Sequence, residues 1–228
     1  MRSKPLCVPR FLLLGGLSLL AACDSPRFEV LAPLPTQQLD ALGIQSPVQA
    51  VHYRDREGEA LLVLSRNDDQ VRDAESGEDL DRVLLTATLY GRAAGNDEFK
   101  ARWKIEHETD CSGLDLDVGF YTDVSGASDL NSDGVAELTV ASHAFCGGGV
   151  DSHELRVELR EGQARYAIVG QSLITPPGEA PFGGEREDSP SLQSAPAVLR
   201  GHLDSVWNKV LTRPWSEIAP APEDSDEP

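Results

Sequence analysis

The run Asp129-Leu130-Asn131-Ser132-Asp133-Gly134-Val135-Ala136-Glu137 carries the sharpest chemical signal in the sequence. Oxygen-bearing side chains stand at its first, third, fifth and ninth positions, and a glycine stands at the sixth. Alternating oxygens of this kind wrap a hard cation, and the backbone carbonyl of Val135 can add a further ligand. Glycine permits the tight turn that closes such a loop. Calcium takes about six to eight oxygens at roughly 2.3–2.6 Å, a set this loop reaches together with water. We therefore expect Asp129, Asn131, Asp133, Val135 and Glu137 to hold one calcium ion. The competing expectation is a polar Asn/Asp/Gly turn that binds no metal.

The loop departs from the EF-hand pattern. Its twelfth position is Val140 rather than a bidentate glutamate, and a strand-like segment follows directly instead of a helix. It resembles the calcium loops that lie between strands in integrin-type propeller repeats, which carry a carboxylate at the ninth position. One copy is present, whereas propellers carry several, so a propeller is not expected.

A wider resemblance covers about residues 120–212. After the loop and Leu138-Thr139 come Cys146, Asp151-Ser152, Glu154-Leu155-Arg156-Val157, Glu161-Gly162, Tyr166-Ala167-Ile168, Gly170 and a segment with Trp207. This order resembles a poorly characterised family of bacterial envelope proteins, sometimes labelled for surface polysaccharide biosynthesis. The resemblance implies an envelope location. It supplies no reaction and no catalytic residues.

The elements that must position the loop are mostly strands. Val48 to Tyr53 and Ala60 to Ser65 flank the turn Asp55-Arg56-Glu57-Gly58. Val83, Leu85, Ala87 and Leu89 alternate with polar neighbours, and so do Phe99, Ala101, Trp103 and Ile105. Period two means one buried and one wet face, and the short link around Gly95 predicts a hairpin. Leu114, Leu116, Val118 and Phe120 alternate again, as do Leu138 and Val140. Leu155 to Leu159 and Ala164 to Ile168 predict another hairpin through Glu161-Gly162. Residues 67–81, with seven acidic side chains, are expected to be a solvated loop, and 175–190 a Pro/Gly loop. Pro196 suits a first helical turn, and Val198, Leu199, Leu203, Val206, Trp207 and Val210 then make one apolar helical stripe. The expected fold is mainly β: an antiparallel sheet of seven or eight strands, sandwich or barrel-like, with one C-terminal helix packed on it.

Outside that domain the N-terminus is distinctive. Arg2, Lys4 and Arg10 precede an uncharged apolar run of about ten residues, Phe11 to Leu20. A membrane-spanning helix needs about 20, whereas a secretory signal core is this short and ends in small residues. Leu20-Ala21-Ala22-Cys23 resembles the lipobox of bacterial lipoproteins, which implies cleavage before Cys23 and lipid on that cysteine. Asp24 resembles the inner-membrane retention signal, with the outer membrane as the alternative. We expect residues 1–22 to be a signal peptide, 23–46 a tether, 47–213 one domain and 214–228 an acidic tail. Cleavage would remove three basic residues and no acidic ones, leaving 17 Lys and Arg against 38 Asp and Glu, a net charge of −21 in place of −18. Such a surface repels nucleic acid and anionic headgroups. Of four cysteines, Cys7 leaves with the signal and Cys23 takes lipid, so Cys111 and Cys146 form an even pair in an oxidising compartment. A disulfide is the expectation.

Weaker constellations complete the reading. His143, Cys146 and His153 are zinc-type ligands, but their spacing fits no common zinc site and Cys146 has a competing partner. Gly147-Gly148-Gly149 lacks the lysine and helix of a phosphate-binding loop. Asp115 and Asp117 could share a strand face as a carboxylate pair, though alternating surface charge explains them more simply. No nucleophile elbow is present. Two functions follow. One is a non-catalytic, membrane-tethered envelope domain with a calcium-stiffened loop, binding an envelope protein or a glycan. The other is an enzyme or accessory factor of surface polysaccharide assembly.

Overall fold

Alternating apolar strands dominate this chain, and in the computed structural model, which describes residues 28–93, 95–96 and 98–214, they build two antiparallel sheets laid face to face. The expected signal peptide, Cys23 and, but for Pro214, the acidic tail lie outside the described residues. The first sheet is a meander of β1 (Glu29–Val30), β2 (Gln49–Asp55), β3 (Gly58–Arg72), β4 (Asp79–Arg92) and β5 (Lys100–Cys111). The second runs in the order β13 (Arg186–Asp188), β10 (Ala164–Gln171), β9 (Glu154–Glu161), β8 (Glu137–Gly147) and β6 (Asp115–Phe120). A short β7 (Gly126–Ser128) also pairs with β8, and β11 (Leu173–Ile174) pairs with β12 (Phe182–Gly183). The architecture is a sandwich, not a closed barrel.

Burial explains the layering. Leu62, Leu64, Ala87, Leu89 and Ile105 of the first sheet meet Leu138 and Val140 of the second. The far face of the second sheet is also apolar, through Ala141, Leu155, Val157, Leu159 and Ile168. Helix α3 (Ala197–Val210) covers it with Leu199, Leu203, Val206, Trp207 and Val210, and α2 (Pro190–Gln193) adds Leu192. Each such leucine, fully withdrawn from water, contributes about 1.5–3 kcal/mol. The helix, its stripe and the core role of Trp207 agree with the sequence reading. Val198 does not: it is 45% exposed, because the stripe at helical spacing starts at Leu199.

Four local expectations are corrected. Residues 28–46, expected as a tether, pack on the domain. Phe28 meets Tyr53 with ring centroids 5.9 Å apart, β1 pairs with β2, and the turn of α1 (Thr36–Ala41) lays Leu34, Leu39, Leu42 and Ile44 over Leu61 and Val63. Buried His52 fixes this segment by donating from Nδ1 to the Ala32 carbonyl at 2.7 Å. The acidic stretch 67–81 is mostly strand, since β3 and β4 continue to Arg72 and from Asp79. Ion pairs such as Arg72–Asp79 at 2.9 Å and Arg82–Asp110 at 2.6 Å dress this solvated ribbon. Third, a register shift between Leu89 and Tyr90 reverses the facing of β5, as a bulge must. Trp103 and Ile105 point between the sheets, whereas Phe99 packs on the outer face beneath Arg92 and against His52. Finally, the loop expected over 175–190 contains β12 and β13.

A disulfide and a buried carboxylate–imidazole contact link the sheets. Cys111 at the end of β5 is bonded to Cys146 on β8, with a Cα–Cα distance of 5.5 Å. Closing a loop of 35 residues stabilises by about 4 kcal/mol in the chain-entropy model. Glu158 on β9 is buried, accepts two hydrogen bonds from Arg165 at 2.7 Å and lies 3.6 Å from His107 of β5. Burial alone would raise its carboxyl, but the His107 interaction, followed by the Arg165 hydrogen bonds and charge, outweighs it and brings the pKa down to about 2.

Candidate metal centres

The 129–137 loop enters β8 from β7, so its last residue, Glu137, is the first residue of a central strand. The loop is built from the turns its sequence dictates. Asp129 accepts from the backbone N–H groups of Asp133 at 3.0 Å and Gly134 at 3.1 Å. Asn131 accepts from Asp133 N at 2.9 Å, and Asp133 accepts from Val135 N at 2.8 Å. The chain takes left-handed conformations at Ser132 (φ 60°) and Gly134 (φ 81°). The first costs a residue with a Cβ about 1 kcal/mol, and the second is why position 134 is glycine.

The first sheet holds this loop in place. Arg56, in the β2–β3 turn, donates its backbone N–H to Gly134 O at 2.7 Å and a guanidinium N–H to Asp133 O at 2.9 Å. The buried carboxylate of Asp55 accepts from Ala136 N at 3.1 Å. Sequence reasoning treated Asp55 and Arg56 as an ordinary hairpin turn. Nothing in their local pattern points to a loop some 80 residues away; only the packing of one sheet on the other brings them there.

Glu137 differs from its companions. It is 0% exposed, and Oε2 accepts from Leu130 N at 2.6 Å while Oε1, also buried, has no hydrogen-bond partner. Burial pushes its pKa up to about 7, against the hydrogen bond from Leu130, and the nearby Glu161 and Asp129 charges push the same way. Asn131 reaches Glu161 at 2.8 Å through its amide nitrogen. The structure thus brings Asp129, Asn131 and Asp133 into one hydrogen-bonded turn with Glu137 beneath, but it does not gather the three carboxylates as tightly as a second group elsewhere.

That second group is Asp117, His143 and His153, the one set of three His, Cys, Asp or Glu side chains among the described residues whose ligand atoms all lie within 4.8 Å of one another. His143 Nε2 is 3.2 Å from Asp117 Oδ1, and His153 Nδ1 is 3.6 Å from Asp117 Oδ2. Strand register assembles them. Gly119 of β6 pairs with His143 of β8, which sets Asp117 diagonally beside the imidazole. Gly119 has room for that ring because it lacks a Cβ; one built there would lie 3.1 Å from His143 Cε1. Phe145 stacks on His153 with centroids 4.6 Å apart, and Tyr121 lies against His143 at 4.8 Å. His153 is 2% exposed, and burial lowers its pKa in spite of Asp117, keeping the imidazole neutral.

The zinc-type set read from sequence is thereby revised. Cys146 is consumed by the disulfide and points to the other face of β8, whereas His143 and His153 remain and Asp117 takes the third place. Alternating surface charge alone does not mark Asp117 as a ligand. It is 26 residues from His143, and only the β6–β8 register reveals the contact. A cleft of about 530 Å³ opens beside the β5 edge, with Glu106, Glu108, Asp110 and Glu154 among its walls. Arg156 and His107 line it too, and each of the four carboxylates is paired with Arg82, Lys104 or Arg156.

No protein-family model, no curated protein and no solved structure matches this chain. Among the described residues no helix is long and apolar enough to cross a membrane.

Proposed function

We propose that this protein is a lipid-anchored bacterial envelope domain whose 129–137 loop binds calcium as a structural, non-catalytic element. The observation that carries the calcium reading is Glu137: a fully buried carboxylate with an unpaired oxygen, set beside the Asp129 and Glu161 charges. Buried polar atoms are nearly always paired, and an unpaired charged one is costly. A cation among Asp129, Asn131, Asp133, the Val135 carbonyl and Glu137 removes that cost. Carboxylate oxygens have lone pairs to spare beyond the N–H groups they already accept. Calcium fits such an all-oxygen, irregular set better than magnesium, which requires near-octahedral geometry.

The anchoring reading rests on Leu20-Ala21-Ala22-Cys23 and the charged and apolar segments before it. Four residues lie between Cys23 and Phe28, the first described residue, so the five Cα–Cα steps span at most about 18 Å. The lipid would therefore hold the domain close to the bilayer at its β1 edge. A calcium site coupled to fold order stabilises only when occupied. Thermal unfolding with calcium or with chelator tests this reading. Calcium should raise the melting temperature of the wild type and leave that of Asp133→Ala unchanged; equal shifts in both proteins would remove the loop from the account.

A further inference from the structure

We propose that Asp117, His143 and His153 form a second metal site, selective for a divalent transition ion of the zinc or copper class and independent of the calcium loop. Both sites lie along β8, and Glu137 and His143 are six residues apart on the same face, about 20 Å along the strand. They share no ligand.

The donor set chooses the ion. Two imidazole nitrogens and one carboxylate oxygen suit zinc and copper, while calcium and magnesium favour oxygen alone. Zinc bonds of about 2.0–2.1 Å place tetrahedral ligands roughly 3.3 Å apart. Asp117 meets His143 through Oδ1 at 3.2 Å and His153 through Oδ2 at 3.6 Å, and one ligand atom from each residue lies within 4.8 Å of the others, so binding draws the longest edge in by at most about 1.5 Å. His153 supplies the observation that points to a ligand. Its Nδ1 is buried, has no hydrogen-bond partner and faces the Asp117 carboxylate. The rings are also held ready: Phe145 fixes the plane of His153, and the missing Cβ of Gly119 leaves His143 its place. A strand-interior glycine with ordinary backbone conformation costs stability, and close approach by another group is a common reason for one. Three protein ligands leave a fourth position free. Asp117, with a side chain 53% exposed, puts that position at the surface, where water or an outside ligand can occupy it.

The test is calorimetric titration of zinc into the metal-stripped full chain, made without a polyhistidine tag. The wild type should bind one equivalent, and millimolar calcium should not displace it. Asp117→Ala and His143→Gln should each weaken zinc at least about 100-fold, as losing a ligand must when losing a ligand's outer partner already costs about 10–100-fold. Asp115→Ala, a neighbouring exposed carboxylate, should leave zinc binding unchanged and so exclude attraction to acidic surface alone. The copper(II) form of the wild type provides a readout that does not depend on how the variants fold: its electron paramagnetic resonance spectrum should show splitting from imidazole nitrogens. No zinc binding by the wild type, survival of binding in either ligand variant, displacement by calcium, or a copper spectrum without nitrogen splitting would overturn the assignment.

Discussion

Replacing Glu137 by glutamine should make the metal-free protein more stable at alkaline pH, although it removes a charge from a fully buried, hydrogen-bonded position. The wild-type carboxyl has its pKa raised from 4.5 to about 7 in the folded state. A group whose folded pKa lies above its unfolded one favours the fold fully below the unfolded value, and that contribution is lost as pH rises through the folded value. From pH 4.5 to 8 the loss approaches 3 kcal/mol, since each pKa unit is worth about 1.36 kcal/mol. Glutamine keeps the shape and can still accept from Leu130 N, yet has no ionisation to oppose. In urea with chelator, Glu137→Gln and wild type should unfold alike near pH 4.5. At pH 8 the variant's midpoint should lie higher by about 1.5 M, for a slope of roughly 2 kcal/mol per molar. The comparison starts at 4.5 because Glu158, held down to about 2, makes both proteins less stable as pH falls below that point. With calcium present the order should reverse, because glutamine cannot match the ion's charge. Equal midpoints at pH 8 without metal would show that Glu137 is not an uncompensated buried acid.

Two further outcomes follow from the links that hold the domain. Cys23→Ala should leave the protein unprocessed or free of the membrane, as fractionation and mass spectrometry of the N-terminus would show; an unlipidated mature wild type would contradict the anchor. Removing the inter-sheet disulfide with Cys111→Ala/Cys146→Ala should cost about 4 kcal/mol, lowering the melting temperature by roughly 10 °C for a domain of this size; a shift within 2 °C would show that the sheets are already held by packing.

The parts of the fold legible in the sequence are those where one face of an element is buried and the other wet. Val83 to Leu89 and Leu199 to Val210 announce their periods because water and core sort them residue by residue. The ribbon over 67–81 was illegible because it is polar on both faces and is a strand only through backbone pairing with its neighbour. Alternation places Phe99 on the face of Trp103 and Ile105, but a single bulge, invisible in an alternating pattern, reverses everything beyond it. The 129–137 loop could be read because its residues are adjacent in sequence. Its supports Asp55 and Arg56, and the Asp117–His143–His153 group, could not, since each depends on strand register or on sheet packing that brings together residues from distant parts of the chain.

Calorimetric titration of calcium into the metal-stripped full chain tests the central claim most directly. The account predicts one equivalent bound at micromolar to millimolar calcium, a much weaker response to magnesium, and loss of the signal in Asp133→Ala. Absence of any heat of binding up to millimolar calcium, or an unchanged titration in Asp133→Ala, would contradict it and leave the 129–137 loop a polar turn.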